Sequence, residues 1–407
     1  MRKVQRILLL FALSFFLAAC GQMITDEPTV PIPKRDELKK QEAKAKEDKE
    51  KEQKKEEKAE ENSEQQTPVE QKKIDNIDEM LSQMSLEEKV GQMFLARCPD
   101  VGALEAIKKY HFGGYILFGR DFKDKSKEQV IQMIQSYQNA SPLRMWIAVD
   151  EEGGTVNRVS RNPALRITPF ASPQSLYQNG GFERITNDTE EKADLLLSLG
   201  INLNMAPVCD IPEKESDFIY ERSFGTDAKL VEEYAALMVK DMNRKKLASV
   251  LKHFPGYGSN VDTHTDFAYD KRPLETFKTR DFLPFLAGIK SGAGAILVSH
   301  NVMTQVDEKM PASLSTAVHK LLRKDLAFQG VIMTDDLLMD AVKKLMSEEE
   351  AAILAVLSGN DMLISSSYEV QIPAVVEAVR SGRIQEKQID EAVKRILVWK
   401  QAFLIQD

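Results

Sequence analysis

From Ile74 to Asp407 the chain alternates short, apolar, β-rich runs with longer amphipathic stretches, a pattern that points to repeated βα units around a parallel sheet. Eight runs have strand character: Phe94–Ala96, Tyr115–Phe118, Trp146–Val149, Asn202–Val208, Ser249–His253, Ala295–Ser299, Val331–Thr334 and Met362–Ile364. Eight units in a segment of this length fit a (β/α)8 TIM barrel, a fold that spans about 200 to over 400 residues. A doubly wound open sheet is the competing architecture.

Polar residues at the ends of the runs separate the two. Asp150, Asp210, Lys252 with His253, His300, and Asp335 with Asp336 each close or follow a run. A barrel gathers such groups from different strands at one rim, whereas an open sheet concentrates them near a switch point. No Walker loop or GxGxxG follows any run, so nucleotide binding has no support. The densest of these segments is KHFPGYGSNVDTH, Lys252–His264, where a strand end leads into a loop broken by Gly256 and Gly258. Glycines permit backbone shapes closed to other residues, so this loop is suited to aiming polar groups at a ligand.

The residues before Ile74 are of another kind. Arg2, Lys3 and Arg6 precede the apolar run Ile7–Leu17, and Leu17-Ala18-Ala19-Cys20-Gly21 follows, a pattern similar to a bacterial lipoprotein signal cleaved before a lipid-bearing Cys20. The apolar run is too short to favour a spanning helix. Lys34–Lys73 is dominated by Lys, Glu and Gln, and no aromatic residue lies between Phe16 and Phe94, so this stretch has nothing from which to build a core. The expected organisation is a signal peptide at 1–19, a charged flexible linker at 20–73 and one domain at 74–407, in an extracytoplasmic monomer lipid-anchored to the membrane. A net charge of −8 argues against a nucleic-acid partner. Cys98 and Cys209 make neither a disulfide framework nor a metal-ligand spacing and are expected as buried thiols, with a single disulfide as the alternative.

Five segments then occur in series: GGYILFGRD (Gly113–Asp121), AVDEEGGTVNRV (Ala148–Val159), NMAPVCDI (Asn204–Ile211) with ERSFG (Glu221–Gly225), the Lys252–His264 segment, and GVIMTDDLLMDA (Gly330–Ala341). Together they resemble the barrel domain of family 3 glycoside hydrolases, in particular the bacterial β-N-acetylglucosaminidases. The resemblance implies a retaining exo-β-N-acetylglucosaminidase acting on cell-wall or related amino-sugar fragments, without metal or cofactor. By the same resemblance Asp335 is the nucleophile, and His264, paired with Asp262, transfers the proton. Asp150, Arg158, Arg222, Lys252 and His253 bind the sugar. The chemistry agrees: a retaining glycosidase needs an ionised carboxylate rigidly placed beneath the anomeric carbon, and an imidazole titrates near neutrality without extreme tuning.

Other readings stay open at this level. Asp335 could cap the next helix while Asp336 does the chemistry. Arg222 could be a surface salt-bridge residue, and His264 a solvated loop histidine. His300 matches a strand-end histidine of the family, or is a hydrogen-bonded core residue; His111 and His319 have no motif context. Phosphate could replace water as acceptor. A sugar-binding lipoprotein without turnover, and a metal-dependent barrel hydrolase using His253, His264, His300 and Asp335, are the rival classes. The chain departs from the family pattern at Tyr257, where a second histidine is usual, in a loop one residue shorter than its common form, at Ala268 where a proline is usual, and at Thr155, where an arginine is usual. It stops soon after the eighth unit, the expected single-domain form.

Overall fold

Every expected run contributes to one parallel sheet. Its strands are β1 (Phe94–Arg97), β2 (Gly114–Leu117), β3 (Trp146–Val149), β4 (Leu203–Asn204), β5 (Ala248–Phe254), β7 (Ala295–Val298), β9 (Val331–Thr334) and β10 (Leu363–Ser365). A computed structural model describes residues 68–263 and 268–404. The sheet order β10-β1-β2-β3-β4-β5-β7-β9 is closed by a parallel bridge between Met333 and Met362, which makes a (β/α)8 TIM barrel. From Val69 onward the chain is one compact unit, Val69–Asp407.

The strands are short and apolar on both faces because each is enclosed between the barrel interior and a layer of helices. β2, β3, β7 and β9 are buried along their whole length. Outside them run amphipathic helices such as Gly181–Ser198, Ala228–Lys245 and Glu386–Phe403, which turn their apolar stripes inward. Their starts follow local chemistry. Ser85 and Glu88 form a capping box before Leu86–Gln92, and Ser126 with Gln129 does the same before Lys127–Ala140.

Two features were not expected. The run at 202–208 forms regular strand only at Leu203–Asn204, because Pro207 has no N–H to donate; the chain still follows β5 through Ala206 and Pro207 carbonyls that accept from Val250 and Lys252. A second parallel pair, β6 (Tyr269–Asp270) with β8 (Val302–Met303), sits beyond the barrel strands. Each of its strands has two residues, too few to show a periodicity.

Helix Pro68–Gln83 runs across the boundary expected between residues 73 and 74. The signal peptide, Cys20 and the linker up to residue 67 lie outside the described residues, as does His264. Among the described residues no helix is long and apolar enough to cross a membrane. Cys98 and Cys209 are both buried and unbridged.

Candidate active site

Immediately after β3 the chain turns through Asp150-Glu151-Glu152-Gly153-Gly154. The buried Glu151 carboxylate accepts from the backbone N–H groups of Arg158 (2.7 Å), Val159 (2.7 Å) and Ser160 (3.1 Å). This folds the loop back on itself and brings Arg158 Nη2 to 3.8 Å from Asp150 Oδ2. Gly153 has φ 102°, and a Cβ there would lie 2.2 Å from the Ala171 carbonyl oxygen, so the close return of the chain requires glycine.

Lys252, on β5, points its buried Nζ between two carboxylates, 2.6 Å from Asp150 Oδ1 and 2.6 Å from Glu152 Oε1. Arg222 forks onto Glu152 through Nε at 3.0 Å and Nη2 at 2.7 Å. Burial acts to raise the Glu152 carboxyl, but Lys252 and Arg222 outweigh it and hold the group well below the usual carboxylate range. Burial likewise works against the charge of Arg222, and Glu152 more than restores it. Arg222 is therefore a part-buried ion-pair member facing the cavity, not a surface salt-bridge residue.

His253 donates through its backbone N–H to Asp210 Oδ2 at 3.1 Å, and its Nδ1 lies 2.7 Å from the same oxygen. Its Nε2 is 3.2 Å from Arg222 Nη2. The tautomer that satisfies both contacts has Nδ1 donating to Asp210 and Nε2 accepting from Arg222. Both ring nitrogens of His253 thus have protein partners, and the residue lines the same cavity as Arg222. Asp210 also accepts from the Tyr257 N–H at 2.8 Å, tying the β5 end to the loop that follows.

Asp335 stands at the end of β9, its own N–H bonded to the Val298 carbonyl of β7. Its Oδ1 accepts from the Asp336 N–H at 2.8 Å. Asp336 is differently placed: Oδ1 accepts from the Leu338 N–H at 3.0 Å and Oδ2 from the Ser366 hydroxyl, so its carboxylate braces the turn after β9. Buried His300 supports the same turn, with Nε2 3.0 Å from the Asp336 carbonyl and Nδ1 2.7 Å from Ser313 Oγ. Both of its ring nitrogens are committed to protein partners. Among the described residues no group of three or more His, Cys, Asp or Glu is arranged to hold a metal ion.

These groups enclose a cavity of about 510 Å³ at the C-terminal ends of the strands, with Asp150, Arg158, Arg222, Lys252, His253 and Asp335 in its wall and Met205, Leu297 and Ile364 among its apolar lining. Six of the expected site residues are therefore brought together. Asp262 lies on the loop after β5 and is not part of that wall. The same loop contains Tyr257, whose buried hydroxyl lies 2.6 Å from Thr263 Oγ1 and whose ring meets Phe218 edge-on at 4.9 Å. Sequence reasoning gave no role to Glu151, Glu152 or Asp210, although the first two stand inside the EEGG motif and Asp210 closes a run. His319, also without a role, packs in the interior and bonds the Ser315 carbonyl.

Comparison with known proteins follows the same lines. The chain resembles a β-hexosaminidase of Tolumonas auensis, 32% identical over 285 residues that cover 69% of this chain and 84% of the relative. A β-hexosaminidase of Xanthomonas campestris pv. campestris is 33% identical over 232 residues, covering 56% and 69%. Among solved structures, a glycoside hydrolase family 3 β-N-acetylglucosaminidase from Paenibacillus sp. superposes with a TM-score of 0.73 at 32% identity, over 78% of this chain and 62% of that one. A β-N-acetylhexosaminidase from Beutenbergia cavernae gives a TM-score of 0.70 at 27% identity, over 78% and 98%. The model of the glycosyl hydrolase family 3 N terminal domain matches residues 85–398, and the chain accordingly belongs to glycosyl hydrolase family 3 and is a glycoside hydrolase.

Proposed function

We propose that this protein is a retaining exo-β-N-acetylglucosaminidase that removes terminal, non-reducing N-acetylglucosamine from cell-wall or related amino-sugar fragments. The observation that carries the reading is a strand-end carboxylate, Asp335, sharing one cavity with the ion network of Asp150, Lys252, Glu152 and Arg222. The similarity to β-hexosaminidases supports the sugar class.

In this mechanism Asp335 attacks the anomeric carbon as the bond to the leaving oxygen breaks, giving a glycosyl ester on the enzyme. His264 gives the leaving oxygen its proton, and Asp262 favours the charged ring. Water then attacks the anomeric carbon, gives a proton to His264 and frees Asp335 as the bond between its carboxylate and that carbon breaks. Asp336 is the weaker candidate for nucleophile, because the Leu338 N–H and the Ser366 hydroxyl already use its oxygens. In this reading Asp150 and Lys252 meet sugar hydroxyls, and Arg158 and Arg222 close the pocket around the glycone.

The test is hydrolysis of an aryl β-N-acetylglucosaminide beside the matching β-glucoside. Wild type is expected to prefer the first, His264→Ala to lose about 10²–10⁴-fold in kcat, and Asp335→Ala to lose at least as much. Full activity in Asp335→Ala would remove that residue from the mechanism. No turnover by wild type would favour a binding protein, and a sugar 1-phosphate product in phosphate buffer would make the enzyme a phosphorylase. Anchoring through Cys20 belongs to the same proposal; Cys20→Ala should release the protein from the membrane fraction.

A further inference from the structure

The chain leaves β5 at Phe254 and returns as β6, Tyr269–Asp270, and the stretch between them carries Asp262. Arg272, two residues past β6, reaches back to the start of that stretch. Its Nη2 donates to the Gly256 carbonyl at 3.1 Å and to Asp270 Oδ2 at 2.7 Å, and its Nε donates to Asp270 Oδ1 at 3.0 Å. Its Nη1 donates to both oxygens of Asp281, at 2.9 and 3.1 Å. The Phe277 ring lies against the same guanidinium, 4.3 Å from centroid to Cζ. Every nitrogen of the group thus has a partner, and both carboxylates are only 1% exposed.

A second link starts from the loop itself, where Asn260 Nδ2 donates to Asp270 Oδ2 at 2.6 Å. Asp270 is in turn fixed by the β6–β8 pair, and its carbonyl accepts from the N–H and the hydroxyl of Thr304. Two glycines let the backbone lie directly on this cluster. A Cβ at Gly256 would stand 3.0 Å from Asp281 Oδ1, and one at Gly258 would stand 2.6 Å from Arg272 Nη1. With φ 112° and 56° at these glycines, the loop has little stiffness of its own, so its position depends on what it rests upon. Arg272, Asp270 and Asp281 are not in the wall of the catalytic cavity, so they do not meet the sugar there.

We propose that Arg272 is a positioning residue for proton transfer: it joins the outgoing limb of the loop at Gly256 to its returning limb at Asp270, and both to Asp281, and so sets where Asp262 stands. The inference rests on the glycosidase reading above, in which this loop supplies the proton, and adds the group that holds the loop in register with Asp335. A catalytic group displaced by about 1 Å can cost about 10²-fold in rate, so an anchor outside the cavity is enough to control the step. The planar fork of arginine spans all three partners at once, whereas the ammonium of lysine is a single point of attachment.

The test compares phenyl and 2,4-dinitrophenyl β-N-acetylglucosaminides by kcat/KM. The phenyl leaving oxygen needs a proton and the dinitrophenyl oxygen does not, so the phenyl-to-dinitrophenyl ratio reads proton transfer while any loss of folded enzyme cancels from it. Arg272→Gln is expected to lower this ratio about tenfold relative to wild type, and Arg272→Lys to lower it less. Asn260→Ala removes only the bond to Asp270; it should move the ratio in the same direction and supplies the reading if Arg272→Gln folds poorly. A ratio unchanged in both Arg272→Gln and Asn260→Ala overturns the positioning role, and a ratio that falls all the same in His264→Ala shows that the glycosidase reading survives it. Turnover of neither substrate by wild type overturns the glycosidase reading itself.

Discussion

Glu152 is enclosed by Lys252 and Arg222, so removing its charge leaves Arg222 without its carboxylate partner and Lys252 with Asp150 alone. Glu152→Gln is expected to destabilise the fold by about 3–5 kcal/mol at neutral pH, the usual cost of stripping one partner from a buried ion pair. Because the folded protein holds this carboxyl below its ordinary value of 4.5, the stabilisation is present above that pH and drains away as pH falls beneath it. Urea unfolding of both proteins should show the gap closing on acidification below about pH 4.5; a gap of constant size would contradict the network. Tyr257, where the family usually has a histidine, now has a visible task. Its hydroxyl holds Thr263, the residue between Asp262 and His264, and its N–H is held by Asp210. Tyr257→Phe keeps the ring and removes the bond, and should lower kcat about 5- to 10-fold with KM changed about twofold at most. Steady-state kinetics on an aryl glycoside would check this, and a rise confined to KM would place Tyr257 in binding instead.

Helix Glu386–Phe403 carries a feature that no amphipathic pattern accounts for. Lys400 is buried on its inner face, with Nζ bonded to Gln92 Oε1 at 2.8 Å, and burial pulls its pKa from 10.5 down to about 7. Between about pH 7 and 10.5 the folded state binds fewer protons than the unfolded chain, so this group makes stability rise with pH across that window. Lys400→Met should raise the melting temperature by several degrees at pH 7 and below, and flatten the rise toward alkaline pH. Thermal melts of the two proteins from pH 6 to 10 read both effects directly. The loop after β5 shows the opposite economy. Gly258 has φ 56°, and a Cβ there would come within 2.6 Å of the Arg272 guanidinium, which itself clamps Asp270, Asp281 and the Gly256 carbonyl. The glycines seen in the sequence therefore serve packing as well as turn geometry.

The compact unit Val69–Asp407 carries the barrel and its cavity, so deleting residues 1–67 should leave both kcat/KM on an aryl glycoside and the melting midpoint unchanged. A loss in either would mean that the charged segment contributes to the fold. The eight strands were legible because an apolar run repeated with amphipathic helices is a local signal, present in each segment by itself. The six site residues of the cavity wall were legible through motif resemblance and through their position at run ends. The β6–β8 pair and the interruption of β4 at Pro207 were not, since each depends on what a neighbouring element offers or withholds. Thus the sequence by itself determined the class of fold and the charged character of one rim. Only the tertiary structure decided how those charges are paired. Lys252 meets Asp150 across 102 residues of chain and Arg222 meets Glu152 across 70. Contacts of that separation exist only once the barrel has closed, and the low-dielectric cavity they enclose makes each pairing energetically decisive.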